Sequence, residues 1–199
     1  MSLKIVQAGE PVLRQAARQL SPEEIASPNI QRLIHAMRET MHGAPGVGLA
    51  APQVGHPVQL AVVEDRPEYT KDVSRALLKE RERTPVPFHV IINPKLTLLE
   101  NQTVEFFEGC LSLPGLMAIV PRARRVRVEC LDENAKPRVI EAAGWHARIL
   151  QHEIDHLRGT LYIDRMHSRS LTTVDNYNQS WKEKKIEEVK AALGADPHQ

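Results

Sequence analysis

The sequence predicts an α+β fold: one central helix surrounded by small, mostly antiparallel sheets, with a C-terminal helical tail. Three observations carry this expectation. Helical apolar stripes are interspersed with short β-branched runs. Residues 125–142 read as two alternating strands around a turn. A helix near residue 150 carries an apolar core stripe and a second stripe that includes two histidines. The chain of 199 residues, 42% of them hydrophobic, suits one domain with an appended tail.

The elements follow in order. Residues 11–20 form a turn-rich or short helical entry. Ser21-Pro22-Glu23-Glu24 has the form of a capping box with proline at the first helical position. Ser27-Pro28 repeats the start signal. Ile30, Leu33, Ile34, Met37 and Met41 then form one helical stripe, which Gly43 stops. Residues 58–64 and 86–93 read as strands, the second ended by Pro94. Residues 65–85 read as a charged surface insertion with a short helix at 73–79. Residues 95–107 make one or two further strands. Arg125 to Leu131 alternates valines with charges, and 138–142 returns as its partner after a turn at 132–137.

The tail is of a different character. Residues 1–167 are expected to form the catalytic domain and 168–199 the tail. Ser180-Trp181-Lys182-Glu183 predicts a second capping box, opening a charged helix that Gly194 ends. Residues 168–199 hold five basic and five acidic side chains, which fits a solvent-facing or docked helix rather than a nucleic-acid arm.

Composition excludes several classes. The 26 Lys+Arg nearly cancel the 25 Asp+Glu, leaving a net charge of +1 and no strong footprint for DNA or an anionic membrane. Arg122, Arg124, Arg125 and Arg127 are grouped, and are expected to form a solvated strand face. No apolar run approaches the ~20 residues of a membrane span. Two cysteines, Cys110 and Cys130, make no disulfide scaffold. The N-terminal residues resemble neither a secretory signal nor an organelle presequence, so a cytoplasmic protein is expected.

The sharpest chemical signal is His152-Glu153-Ile154-Asp155-His156. At ~100° per residue, His152 and His156 project from one face, one turn apart, and can share a metal ion. Glu153 lies ~100° around from His152 and can reach a metal-activated water without being a ligand. Ala147, Leu150, Ile154 and Leu157 form the core stripe of this helix. Trp145 and Ile149 stand beside the histidines and suit an apolar substrate wall. His146 lies ~240° around the helix and points elsewhere. No downstream residue is placed as a third ligand. Upstream, Cys110 in Glu108-Gly109-Cys110-Leu111-Ser112 is the candidate, since thiolate is a good ligand for Zn or Fe(II). Cys130, in an alternating strand, reads as a buried small hydrophobe. Gly46-Val47-Gly48-Leu49-Ala50-Ala51-Pro52-Gln53 lacks the Lys-Ser/Thr ending of a phosphate loop. Its small residues allow close backbone approach, and Gln53 offers a carboxamide donor for an oxyanion.

Taken together, residues 46–53, 108–112 and 151–159 closely resemble, in order, the three signature motifs of the peptide deformylases. The opening segment around Gly9-Glu10-Pro11 is also similar, and the resemblance covers roughly residues 3–167. It implies removal of the N-formyl group from the initiator N-formylmethionine of nascent polypeptides, with release of formate. It implies one divalent metal per chain on Cys110, His152 and His156, natively Fe(II), with Zn, Ni or Co able to replace it. Glu153 then matches the general acid/base. Gln53 and the backbone N–H of Leu111 match the oxyanion donors. The peptide would lie extended beside Val47, Gly48 and Leu49, with Gly109, Trp145 and Ile149 also at the substrate site. Some members contact the ribosome through a C-terminal helix, which makes the tail a candidate for that contact. Many bacterial members carry an arginine where this chain has Met117, which resembles the organelle-type branch.

Two rivals differ in discriminating residues. A metallopeptidase of the same helix motif would need a downstream third ligand. A non-catalytic metal- or peptide-binding module would need neither Glu153 nor Gln53.

Overall fold

The computed structural model describes residues 2–44 and 46–195. Met1, Pro45 and the last four residues of the tail, Asp196 among them, lie outside the described residues.

The chain enters through a 3-10 turn, Pro11–Arg14. Helix α1 (Pro22–Ala26) begins with the expected capping box, Glu24 N–H donating to Ser21 Oγ at 3.2 Å and Ser21 N–H to Glu24 Oε2 at 2.9 Å. Helix α2 (Pro28–Gly43) is capped by Ser27. Strand β1 (Gly48–Ala50), a 3-10 turn (Ala51–Val54) and strand β2 (Leu60–Asp65) follow. Within the insertion, helix α3 (Arg75–Glu80) starts on Ser74. Arg83 closes the insertion with a bidentate pair to buried Asp65 at 2.7 and 2.8 Å.

Strands β3 (Val86–Leu98), β6 (Arg125–Leu131) and β7 (Pro137–Ala143) join β1 and β2 in an antiparallel sheet of order β1-β2-β3-β6-β7. Strands β4 (Thr103–Cys110), β5 (Leu113–Ala123) and the short β8 (Thr172–Thr173) form a second antiparallel sheet. Helix α4 (Gly144–Leu157) carries the two histidines.

The five-stranded sheet is covered on both faces, which explains why β2 reads as a continuous apolar run. Ala61, Val63, Ile91, Val126 and Val128 pack with Ala147, Leu150, Ile154 and Leu157 of α4. Leu60, Val62, Val90 and Ile92 pack on the opposite face with Leu33, Ile34, Met37 and Met41 of α2. Alternate residues of β2 therefore serve two cores, as the period of a strand requires. Cys130 is buried in the α4 core, as expected of a small hydrophobe.

Four expectations are corrected. Pro94 does not end β3. The strand continues to Leu98 through an irregularity between Ile92 and Lys95, where Asn93 adopts φ 51°. The Asn93 amide joins both backbone groups of Leu20, accepting at 3.0 Å and donating at 2.8 Å, which fixes this local break in the ladder. Strand β5 has no counterpart in the sequence reading. Its run Ala118-Ile119-Val120 is fully buried, Ile119 toward the tail and its neighbours toward Tyr162, so no alternation marks it. Ser180 caps no helix: it lies inside a π-helical turn (Tyr177–Trp181) that continues α5 (Val174–Asn176). The last helix, α6 (Ile186–Leu193), starts only after Lys185 and ends at Gly194. Finally, Arg122 is no part of a solvated patch. It is 4% exposed, while Arg124, Arg125 and Arg127 are more open and pair with Glu82, Glu100 and Glu141.

The tail docks on the second sheet. Thr172 and Thr173 pair with Met117 and Leu116, and Tyr177 and Val189 pack with Phe107 and Ile119.

Leu150→Ala removes a fully buried side chain from the face of α4 that sits on the large sheet. Unfolding in urea should show a loss of about 2–5 kcal/mol.

Candidate metal centre and adjoining cavity

The one-turn spacing on α4 brings His152 Nε2 and His156 Nε2 to 3.2 Å. Cys110, the last residue of β4, supplies its Sγ at 3.3 Å from His156 Nε2. The three ligand atoms all lie within 4.8 Å of one another. A tetrahedral ion bonding nitrogen at about 2.0–2.1 Å and sulfur at about 2.3 Å spaces its donors by roughly 3.3–3.7 Å. The residues therefore fit a metal in both donor chemistry and spacing.

A buried ionic knot holds these ligands. His152 Nδ1 donates to Glu108 Oε2 at 2.9 Å, leaving Nε2 for the metal. Glu108 in turn accepts from Arg122 Nε and Nη2, both at 2.9 Å, and from Arg148 Nη1 at 2.7 Å. Arg122 Nη1 also reaches Asp155, which accepts two further bonds from Arg165 at 2.6 and 2.9 Å. Burial pushes the Glu108 carboxyl up, but the hydrogen bonds and charges of Arg122 and His152 outweigh it and hold it far below the usual carboxylate range. Burial lowers Arg148 to about 10, against the raising effect of Glu108.

Glu153 sits beside this knot without joining it. Its Oε2 is buried and has no hydrogen-bond partner among the described residues. Burial pushes its carboxyl up to about 7, with the charge of His152 acting the other way. The carboxylate lies directly over β1: a Cβ on Gly48 would stand 2.1 Å from Glu153 Oε1. Glycine is thus required at 48 by the position of Glu153.

Gln53 is oriented by its own backbone turn. Its Oε1 accepts from Ala50 N–H at 2.9 Å, which turns Nε2 toward Cys110 Sγ at 3.4 Å and Ser112 Oγ at 3.3 Å. A carboxamide donor therefore stands beside the ligand set.

A cavity of about 480 Å³ opens next to the ligands. Val47, Gly48, Gly109, Leu111, Trp145 and Ile149 line it. Leu49 does not line it: the residue is fully buried with the α2 core. Strand β1 pairs with β2 on one side and forms the edge of its sheet.

The sequence reading assigned no role to several residues of this site. Glu108 lies within a recognised motif, but neither its partners nor its hold on His152 was legible. Arg148 is the residue four before His152, on the same helix face, and that spacing was the available signal. Arg81 and Tyr177, from the insertion and the tail, also line the cavity. His146 does point elsewhere, packing edge-on against His89 at 5.2 Å. His167 is also diverted, to Glu105 at 2.7 Å.

Comparison with known proteins gives concordant results. Residues 2–171 match the family model of polypeptide deformylase. Peptide deformylase 1A, chloroplastic, of Solanum lycopersicum is 49% identical over 172 residues, covering 86% of this chain, which spans only 62% of that protein. Peptide deformylase 3 of Streptomyces avermitilis is 45% identical over 196 residues, covering 96% of this chain and 84% of that one. A class I type b peptide deformylase from Acinetobacter baumannii, in a crystal structure with Met-Ala-Ser bound, superposes with a TM-score of 0.74 at 31% identity. That match covers 83% of this chain and 99% of the other. Among the described residues, no helix is long and apolar enough to cross a membrane.

Glu108→Gln keeps the shape of the side chain and removes the charge that His152 Nδ1 faces. Divalent-metal affinity, measured by competition with a chelator, should fall by about 10- to 100-fold.

Proposed function

This chain belongs to the polypeptide deformylase family, and on that premise we propose that it hydrolyses the N-formyl group of N-formylmethionyl nascent polypeptides, releasing formate, at the centre formed by Cys110, His152 and His156. The reaction breaks the formamide C–N bond. It needs an activated water, a polarised carbonyl and a proton for the departing amine.

A divalent metal bound by these three residues supplies the Lewis acid for the first two requirements. Fe(II) is our assignment for the resident ion, and the thiolate and imidazole donors also accept Zn, Ni or Co. Glu153 takes the proton of the attacking water and passes it to the leaving amine nitrogen. Its buried, unpartnered Oε2 supports that role, since no other group competes for the proton. Gln53 Nε2 and the Leu111 N–H donate to the carbonyl oxygen as it gains charge. The Glu108 knot keeps His152 in the tautomer and orientation its ligand role needs.

The peptide lies extended along the edge of β1, adding a strand beside residues 46–49. Its first side chain enters the cavity between Val47, Trp145 and Ile149. Cytoplasmic action beside the ribosome follows from a nascent substrate, and ribosome contact through the tail is part of this proposal.

One observation carries the reading: the Gln53 amide nitrogen stands 3.4 Å from the ligand sulfur, held there by Ala50. A binding module has no use for an oxyanion donor at that point. The test is formate release from formyl-Met-Ala-Ser by protein purified anaerobically and loaded with Fe(II) or Co(II). Glu153→Gln should retain the metal and lose turnover by about 100- to 10,000-fold. Full turnover in that variant removes Glu153 from the mechanism. Gln53→Ala should lower kcat by about 10- to 1,000-fold with the metal still bound.

A further inference from the structure

Three of the arginines lining the cavity gather around Trp145. The guanidinium carbons of Arg83, Arg81 and Arg148 lie 5.1, 5.6 and 6.0 Å from the Trp145 ring centre. All three line the cavity. Two of them are committed to carboxylates. Arg83 is held bidentate by Asp65, and Arg148 donates to Glu108. Arg81 forms no ion pair with any described carboxylate. Its Nη2 donates to the neutral Tyr177 hydroxyl at 3.2 Å, and its buried Nε has no partner among the described residues. Stacking on Trp145 and Phe106 fixes the position of the guanidinium without cancelling its charge.

Two separate parts of the chain hold Arg81 there. It directly follows α3, so the insertion delivers it. Tyr177 comes from the tail, where it packs edge-on against Phe107 at 4.9 Å. A positive charge is therefore built into an otherwise largely apolar wall, from elements outside the ligand-bearing core.

We infer that Arg81 is a specificity-determining residue that selects an acidic side chain at the third residue of the peptide. This rests on the deformylase reading above. In an extended peptide, residues one and three point to the same side. The first side chain enters beside Trp145, so the third lies on the side of the peptide that faces the cavity. Arg81 touches Trp145 itself and is the cation there with charge left to offer. An aspartate or glutamate at that position gains a charge-assisted hydrogen bond, and a lysine meets repulsion.

The test compares formyl-Met-Ala-Asp, formyl-Met-Ala-Ser and formyl-Met-Ala-Lys, all as C-terminal amides so that no terminal carboxylate substitutes for the side chain. On the metal-loaded full chain, kcat/KM should favour Asp over Lys by about three- to tenfold, through KM, and the ratio should shrink at high salt. In Arg81→Gln the ratio should approach one. In Arg81→Lys it should persist. The ratio is independent of the fraction of folded enzyme, so a partly destabilised variant still reports. Equal rates on all three peptides with wild type, or an unchanged ratio in Arg81→Gln, each overturn the assignment. Either of these leaves deformylation itself standing. Absence of turnover on every peptide overturns both.

Discussion

The Glu108 carboxylate is the constraint on which the rest of the site depends. It lies 6% exposed between two guanidiniums and an imidazole, and it joins β4, β5 and α4. A buried charge of this kind is costly unless every lone pair is engaged, and removing one partner leaves the others stranded. Here the engagement is complete, so the relative position of the small sheet and the helix is sharply defined. Cys110 follows Glu108 by two residues, past an irregularity in the ladder after Gly109, and both side chains meet the histidine face of α4. The interaction that orients His152 also sets where the sulfur meets it. Asp155 and Arg165 extend the knot, and their pull on Arg122 divides one guanidinium between two carboxylates.

A second constraint acts from the other sheet. Glu153 fills the space that any side chain at position 48 would occupy, and β1 must approach the helix at glycine distance. That approach brings the 3-10 turn after β1 close enough for Gln53 to address Cys110. The carboxamide is held at its oxygen by Ala50, so it needs no reorganisation to meet a developing charge. The three candidate metal ligands come from one sheet and the helix, while the proposed oxyanion donor comes from the turn after β1 of the other sheet. The proposed acid/base, Glu153, sits on the helix between them.

Much of this was legible in the sequence because the ligands obey strict local rules. Two histidines one turn apart, a cysteine beside glycine, and a loop of small residues each have a short-range physical signature. The helices that cap on Ser21 and Ser27 were legible for the same reason. The failures share a cause as well. Charged side chains are read as solvent-facing because most are. Arg122 and Arg148 are buried by partners more than ten residues away, which no local pattern encodes. Ser180 has the spacing of a cap, but the preceding turn is already helical from Val174 onward, so its hydroxyl reaches back to Asn176 instead. Pro94 breaks the β3 ladder without ending the strand, because Asn93 takes over the local hydrogen bonding with Leu20.

The division of labour between core and periphery has a consequence for selectivity. On the proposed mechanism the candidate ligands, Glu153 and Gln53 hold their places to within about 0.5 Å, and these residues stand on the knot, the helix and a short turn. Recognition of the peptide beyond its first residue has no such requirement. It is met by elements that pack on this core without forming it: Arg81 after α3, and Tyr177 from the segment joined to β5 through Thr172 and Thr173. Met117 sits between the two regions, lining the cavity and pairing with Thr172. With an apolar residue at 117, the unneutralised charge in this part of the wall comes from Arg81, a residue held by the insertion and by the tail. Among the described residues, neither the insertion nor the tail shares a hydrogen bond with Glu108, His152 or His156. On the proposed reading, selectivity beyond the first residue rests on these peripheral elements, and the chemistry rests on the knot and the helix.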